Sequence, residues 1–487
     1  MVKSTILPEV LSFLALSGAA DAFWRMPCRG RTGLARIDPI VDTGEVSSHA
    51  HAIHGGNNFG MSIGYADLVS SSCTSCQVTQ DNSAYWTPSM HFIYTNGTTV
   101  VVPQVGGMLA YYLLYGDNVQ AFPKNFRMLA GDMRQRNFTL AVPDPEKPWT
   151  GEDATQKALE QKALGFNCLH YNVNPPEATL YRHFLPDKSF LDENCSDGLR
   201  LEVMFPSCWN GKDLDSDDHK SHMAYPDQTI TGTCPEGFET RLISLMYETI
   251  WATNDFIGVD GEFVLSYGDP TGYGYHGDFM SGWDVDFLQS AVETCTNESG
   301  KVEDCALFNL QEEADMLDCK FDVPEVLADE NCAGPTDGLC GNVPIQYGPE
   351  YASTQAAETS PPAISTTSHS STPLVPTLSY STGRESFASD QYGGGVTVNK
   401  VAGAATGTPS TIALATTTPA PTYPETDEDG EIIATTTYTS NGAVYEVAIE
   451  EEIVYVTVGG ATPSPVAKHK RHMHHGHHNR REHGLLA

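Results

Sequence analysis

"MHFIYTNGTTVVVPQV" (residues 90–105) sets two runs of β-branched and aromatic residues on either side of Asn96-Gly97. Asn-Gly is the strongest short-range hairpin signal, because both residues tolerate the positive φ that a tight turn between right-twisted strands demands. The same texture recurs along the chain. "AYYLLYGD" (110–117), "LRLEVMFPSCW" (199–209) and "GEFVLSYGDPTGYGY" (261–275) are short β-rich runs broken by Gly, Pro and Asn. Helical patterns are few. "SGWDVDFLQSAVETC" (281–295) places Trp283, Phe287, Leu288, Ala291, Val292 and Cys295 on one face, with Ser281 and Asp284 as a capping box. "DATQKALEQKAL" (153–164) is built from strong helix formers. This pattern predicts a mainly β fold, a disulfide-stapled β-sandwich of jelly-roll type with a few peripheral helices.

Composition sets the boundaries. Residues 1–22 read as a secretory leader: Lys3, an apolar run from Ile6 to Leu16, and the small-residue site Ala20-Asp21-Ala22. That run is too short to span a bilayer, and no later stretch reaches the ~18 apolar residues a membrane helix needs. All twelve cysteines lie between Cys28 and Cys340, an even count that in an exported chain implies a disulfide framework of unknown connectivity. Four sequons, at Asn96, Asn137, Asn194 and Asn297, fall within the same span and suggest exposed, glycosylated loops. A folded unit over residues 23–345 is therefore expected in an extracellular setting. Cys73-Thr74-Ser75-Cys76 has redox spacing, but among ten further cysteines it reads as two structural disulfide partners.

From Tyr351 to Ala420, Ser and Thr supply 25 of 70 residues with only five charges. Such a segment cannot bury enough apolar surface to fold, so residues 346–430 read as a disordered, O-glycosylated stalk. Residues 431–466 alternate β-branched and polar residues around Ser440-Asn441-Gly442, as a short hairpin would. Residues 467–487 form a basic tail with seven of the 17 histidines, able to hold divalent metals loosely through imidazole. The net charge of −35 repels nucleic acid and anionic lipid, which argues against both as partners.

Two stretches carry candidate chemistry. In "SSHAHAIHGGNNF" (47–59), His49 and His51 stand two apart, so a strand would project both imidazoles from one face, as two ligands of one metal; His54 points the other way or sits in the turn. A third ligand would come from His219, His222, His276 or Asp278. "GDPTGYGYHGDF" (268–279) packs Asp269, Tyr273, Tyr275, His276 and Asp278 among glycines that allow close backbone approach. Glycoside hydrolysis needs two carboxylates flanking the bond, and Asp269, Asp278, Glu248 and Asp284 are available. Lysis of a uronate needs a base and a cationic partner, roles open to Tyr275, His276, His51 and Arg127. The alternative for the glycine-rich stretch is a structural Asp turn. A copper site built on a leading histidine is disfavoured, because the expected mature start is Phe23. No nucleophile elbow, phosphate loop or dinucleotide fingerprint is present.

Several motifs together resemble one family: WRM (24–26), DPIV (38–41), HAHAIHGGN (49–57), CTSC (73–76), DNSAYWTP (81–88), FRMLAG (126–131), FPSCWNG (205–211), DDHKSH (217–222) and GDPTGYGYHGDF (268–279). This set is similar to the fungal secreted domain-of-unknown-function family numbered nineteen-ninety-six, often found beside wall-stress or carbohydrate-binding modules, over about residues 23–300. The resemblance implies a fungal, secreted or wall-associated setting and no established reaction. Members usually read Cys-Pro-x-x-His-Pro-x-Arg where this chain has Cys234-Pro235-Glu236-Gly237-Phe238-Glu239-Thr240-Arg241. The expected function is engagement of extracellular polysaccharide or cell wall, with exposed rings such as Trp24, Trp86, Tyr273 and Tyr275 as sugar platforms and Arg127 as a polar contact. The alternatives are a glycan hydrolase or lyase centred on His49, His51, His276 and Asp278, with a divalent metal on His49, His51 and His276, or a metal-binding wall antigen using the tail.

Overall fold

A computed structural model describes residues 22–353 and the two strands Glu431–Ser440 and Ala443–Glu451. The leader, apart from Ala22, most of the Ser/Thr-rich stalk and the whole His-rich tail lie outside the described residues. The Asn96-Gly97 turn forms as read. Met90–Tyr94 pairs antiparallel with Thr98–Val101, Phe92 stands opposite Val100, and Gly97 takes φ +86°.

In chain order the strands are β1 (Phe23–Cys28), β2 (Gly33–Ala35), β3 (His51–Gly55), β4 (Ala84–Pro88), β5 (Met90–Tyr94), β6 (Thr98–Val101), β7 (Gln104–Leu113), β8 (Arg127–Ala130), β9 (Leu164–Cys168) and β10 (Leu199–Met204). The short β11 (Cys208–Trp209), β12 (Met223–Ala224) and β13 (Thr240–Arg241) follow. Then come β14 (Ser244–Trp251), β15 (Gly261–Leu265), β16 (Gly277–Met280) and β17 (Thr336–Asp337). One five-stranded antiparallel sheet has the order β1-β7-β14-β10-β9, and a second has the order β2-β3-β4-β16-β8. A four-stranded sheet, β15-β5-β6-β17, carries the Asn96-Gly97 hairpin.

The two five-stranded sheets share one core. Leu201, Val203 and Tyr247 of the first meet Tyr85, Met128 and Phe279 of the second. The rings of Tyr85 and Tyr247 stand 5.6 Å apart, and the Tyr247 hydroxyl donates to the Asp278 carbonyl at 2.9 Å. Burial of each such side chain contributes about 1.5–3 kcal/mol before chain entropy is counted. The fold is thus a mainly β sandwich, as the strand pattern predicts.

The other face of the second sheet is not left to solvent. Ile53, Ala84, Trp86 and Met280 pack against Ile37, Ile40 and Val46, with Phe59, Phe321 and Leu327 completing a second apolar cluster. Residues 36–46 therefore form a cover over this sheet. The cover is anchored by Arg36, which is buried, ion-paired with Glu330 and donates from Nη1 to the Ser47 carbonyl at 3.1 Å.

Six disulfides use all twelve cysteines: Cys28–Cys76, Cys73–Cys319, Cys168–Cys195, Cys208–Cys234, Cys295–Cys305 and Cys332–Cys340. Cys73 and Cys76 go to different partners, so the Cys-x-x-Cys spacing is structural. The predicted helices form at Val285–Thr294 and Gln156–Lys162. The first starts later than its pattern suggested. Asp284 itself is the N-cap and accepts from Phe287 N at 2.9 Å, which leaves Trp283 outside the helix and buried in the core. Separately, Glu431–Ser440 pairs antiparallel with Ala443–Glu451, with Tyr438 opposite Tyr445, while the expected turn residues Asn441 and Gly442 lie outside the described residues.

Candidate metal centre

Strand parity places the histidines. On β3, His51 and Ile53 point toward the cover, while Ala52 faces the main core. His49, two residues earlier, keeps the same side, and its ring centroid lies 4.2 Å from that of His51. His54 belongs to β3 rather than to the turn and reaches Gln104 Nε2 at 3.4 Å. His276 arrives from far along the chain, immediately before β16. Gly131, at φ +89°, ends β8 so close that a Cβ would stand 2.3 Å from the Tyr275 carbonyl oxygen, so glycine is what lets the strand meet the His276 backbone.

His49, His51 and His276 are fully buried, and one ring nitrogen from each lies within 4.8 Å of the others. The Nε2 atoms of His49 and His276 are 3.2 Å apart. Two nitrogens bound to one tetrahedral ion at about 2.0–2.1 Å stand about 3.3 Å apart, so this spacing is that of a ligand pair. The outer contacts point the same way. His276 Nδ1–H donates to the Gly274 carbonyl at 3.0 Å, which leaves the Nε2 lone pair directed at His49. Ser48 Oγ meets His49 Nδ1 at 3.1 Å.

A second trio overlaps the first: one atom each of Asp38, His51 and Asp278 also lies within 4.8 Å. Asp38 comes from the cover, where its Oδ1 accepts from the backbone N–H groups of Ile40 and Val41. Asp278 stands on β16 between Trp86 of β4 and Leu129 of β8. Both Asp278 oxygens and both His51 nitrogens are buried without a hydrogen bond. The Ile37 backbone lies beside His51 and favours its protonated form, but closes no hydrogen bond to the ring.

Burial governs the protonation states. It holds His49 and His51 well below the usual imidazole range, with the neighbouring imidazoles adding to the effect. It brings His276 down to about 4. At neutral pH all three are in the ligating, uncharged form. Burial also pushes Asp278 well above the usual carboxylate range and Asp38 up to about 6. An ionised Asp278 with no donor and no cation would cost several kcal/mol.

The structure separates other residues that the sequence grouped with these. Trp86, Tyr275 and Trp24 are not exposed platforms. Trp86 belongs to the covered face, Tyr275 packs on Phe166 at 5.8 Å, and Trp24 stacks on Tyr112 at 5.2 Å. Both faces of the second sheet are covered, so a ring of either strand parity on it ends up buried, while Trp24 takes the inward parity of β1. Of these four, Tyr273 alone is half-buried, lying parallel to Phe138 at 6.3 Å. Arg127 sits in a separate, partly exposed group, its Nε 3.7 Å from Asp215 Oδ2. There His219 Nδ1 meets Asp215 at 2.7 Å, and His222 Nε2 faces the Arg127 carbonyl at 2.9 Å.

Asp269 is the structural turn residue. Its carboxylate accepts from Thr271 N, Thr271 Oγ, Gly274 N and the Tyr267 hydroxyl at 2.6–3.0 Å, with Arg136 Nε at 3.5 Å. Glu248 is buried opposite Glu202 on β10, and Asp284 caps a helix. Asp38 was not among the candidate ligands. It lies in the DPIV motif, eleven residues before His49, with no spacing rule linking the two.

The sequence profile described as Domain of unknown function (DUF1996) matches residues 38–283. The chain belongs to the DUF1996 family. The matched span begins at Asp38 and contains His49, His51, His276 and Asp278, so every residue of the buried cluster falls within the DUF1996 domain. No curated protein and no solved structure matches the chain.

Proposed function

We propose that this DUF1996 domain is an extracellular metal-holding domain that binds a divalent transition-metal ion on His49, His51 and His276. The observation that supports it best is the 3.2 Å Nε2–Nε2 contact, with His276 Nδ1 tied to the Gly274 carbonyl. Nitrogen donors of this kind suit Zn(II), Cu(II) or Fe(II) rather than Ca(II) or Mg(II). Such an ion supplies a positive centre linking β3 to the strand that follows His276. The chain's own residues exclude water from it and hold the imidazoles neutral. The net charge of −35 favours cation uptake.

The extracellular setting is supported by six disulfides, by four sequon asparagines that are all exposed, and by the absence among the described residues of any helix long and apolar enough to cross a membrane. The family resemblance supports a setting at or near a fungal wall. Contact with wall polysaccharide, the second reading, rests on Tyr171 and Tyr181, which are each about half exposed on one loop. It has lost the support of Trp24, Trp86 and Tyr275.

The test is elemental analysis of the full chain purified natively from an oxidising host. At least one equivalent of transition metal is expected, and a folded His49→Gln/His276→Gln variant is expected to lose it. Metal-free protein that takes up no Zn(II), Cu(II) or Fe(II) on titration would overturn the reading.

A further inference from the structure

The three imidazoles do not account for Asp278. It is buried, and neither carboxylate oxygen has a donor. Of its flanking residues on the sheet, Leu129 has no side-chain donor, and the Trp86 indole N–H, though buried and unpartnered, makes no hydrogen bond to it. Asp38 reaches the same locus from the cover. The Asp38 trio and the imidazole trio meet only at His51. A neutral buried histidine ordinarily satisfies at least one ring nitrogen. His276 and His49 do so through Gly274 and Ser48, whereas His51 has only the Ile37 backbone beside it and no well-formed hydrogen bond at either nitrogen. The ligands of a single ion at about 2.0–2.2 Å lie no more than about 4.4 Å apart; the atoms of each trio lie within 4.8 Å of one another, so a side-chain shift of a few tenths of an ångström brings each trio to the size of one ion's shell.

We propose that His51 bridges two cations, one nitrogen completing the imidazole trio and the other facing a second divalent ion between Asp38 and Asp278. This rests on the three-imidazole site proposed above. Bridging requires His51 to give its ring proton to solvent, so uptake of the second ion releases that proton together with any held on Asp38 or Asp278. The charges then balance closely. Two divalent ions face two carboxylates and one imidazolate, and Asp42 lies within electrostatic reach of Asp278 to supply the remaining negative charge. Mixed nitrogen and oxygen donors at the second locus suit Zn(II).

The experiment counts zinc per full-length chain after saturation and desalting through a mild chelator, which strips ions held loosely by the His-rich tail. Two per chain in the wild type and one in Asp278→Asn are expected. One per chain in both would overturn the bridge while leaving the imidazole site standing, and none in either would overturn both. If Asp278→Asn does not fold, copper-loaded wild type decides the matter. Two imidazolate-bridged Cu(II) ions couple, and their spin count at low temperature falls well below one per copper. A full spin for every copper contradicts the bridge.

Discussion

Replacing Asp269 with alanine removes the acceptor for four hydrogen bonds and strands Arg136, whose side chain is also buried. Arg136 would keep the Tyr267 ring, 5.2 Å away, and three carbonyl partners, none of them charged: Met133 and Gln135 through Nη1 at 2.8 and 2.9 Å, and Gln346 through Nε at 2.9 Å. Breaking a buried ion pair from one side costs about 3–5 kcal/mol. In a domain of this size each kcal/mol moves Tm by about 2 °C, so a fall of about 6–10 °C is expected. A second effect should accompany it. Gly274 donates its N–H to Asp269 and accepts His276 Nδ1–H at its carbonyl, so loosening this turn frees the imidazole to rotate. Loss of such an outer contact lowers metal affinity about 10- to 100-fold. Thermal melts followed by circular dichroism measure the first effect, and competition titration with a zinc indicator measures the second. Asp269→Asn, which keeps shape and one acceptor oxygen, should show both effects in weaker form. An alanine variant that melts within 2 °C of wild type and binds zinc equally well would refute the reasoning.

Three further outcomes follow from the fold. Asp284→Ala removes the cap of the Val285–Thr294 helix and should cost about 1 kcal/mol in urea unfolding; no change would mean the helix end is held by packing alone. His91 is held down to about 3 by burial, whereas in the unfolded chain it titrates near 6.5. Below pH 6.5 the unfolded chain therefore takes up a proton that the folded chain refuses, and His91 withdraws up to about 1.4 kcal/mol of stability per pH unit as pH falls toward 3. His91→Gln should flatten the stability curve between pH 6.5 and 4, and equal slopes would contradict the assignment. Cys73→Ala/Cys319→Ala opens a closure spanning 246 positions, for which the chain-entropy relation gives a loss of about 5 kcal/mol; a melt within a few degrees of wild type would show that the unfolded chain stays compact without it.

Local features were readable where local physics decides them. The Asn96-Gly97 turn needs positive φ at Gly97, and the hairpin follows. The period-two spacing of His49 and His51 fixes a shared face whatever lies above it. The even cysteine count signalled disulfides, but their partners depend on which loops meet. Trp86 is buried where exposure is expected, because alternation tells which side of a strand a ring takes, not whether that side is covered, and Tyr275 lies in a loop with no alternation to read. The cover over Trp86 comes from residues 36–46, a stretch with no periodic pattern. The meeting of His51 with His276 depends on the sheet order β3-β4-β16, a long-range pairing that neither segment encodes alone. Asp38 stayed hidden for the same reason: its role depends on how the cover is draped.

The central claim concerns the position of a metal, and diffraction at an absorption edge addresses it most directly. Crystals of the natively purified chain, measured on either side of the zinc and copper edges, should give an anomalous peak enclosed by His49 Nε2, His276 Nε2 and His51. A featureless map at that point in metal-saturated crystals, with the two Nε2 atoms still in hydrogen-bond contact, would contradict it.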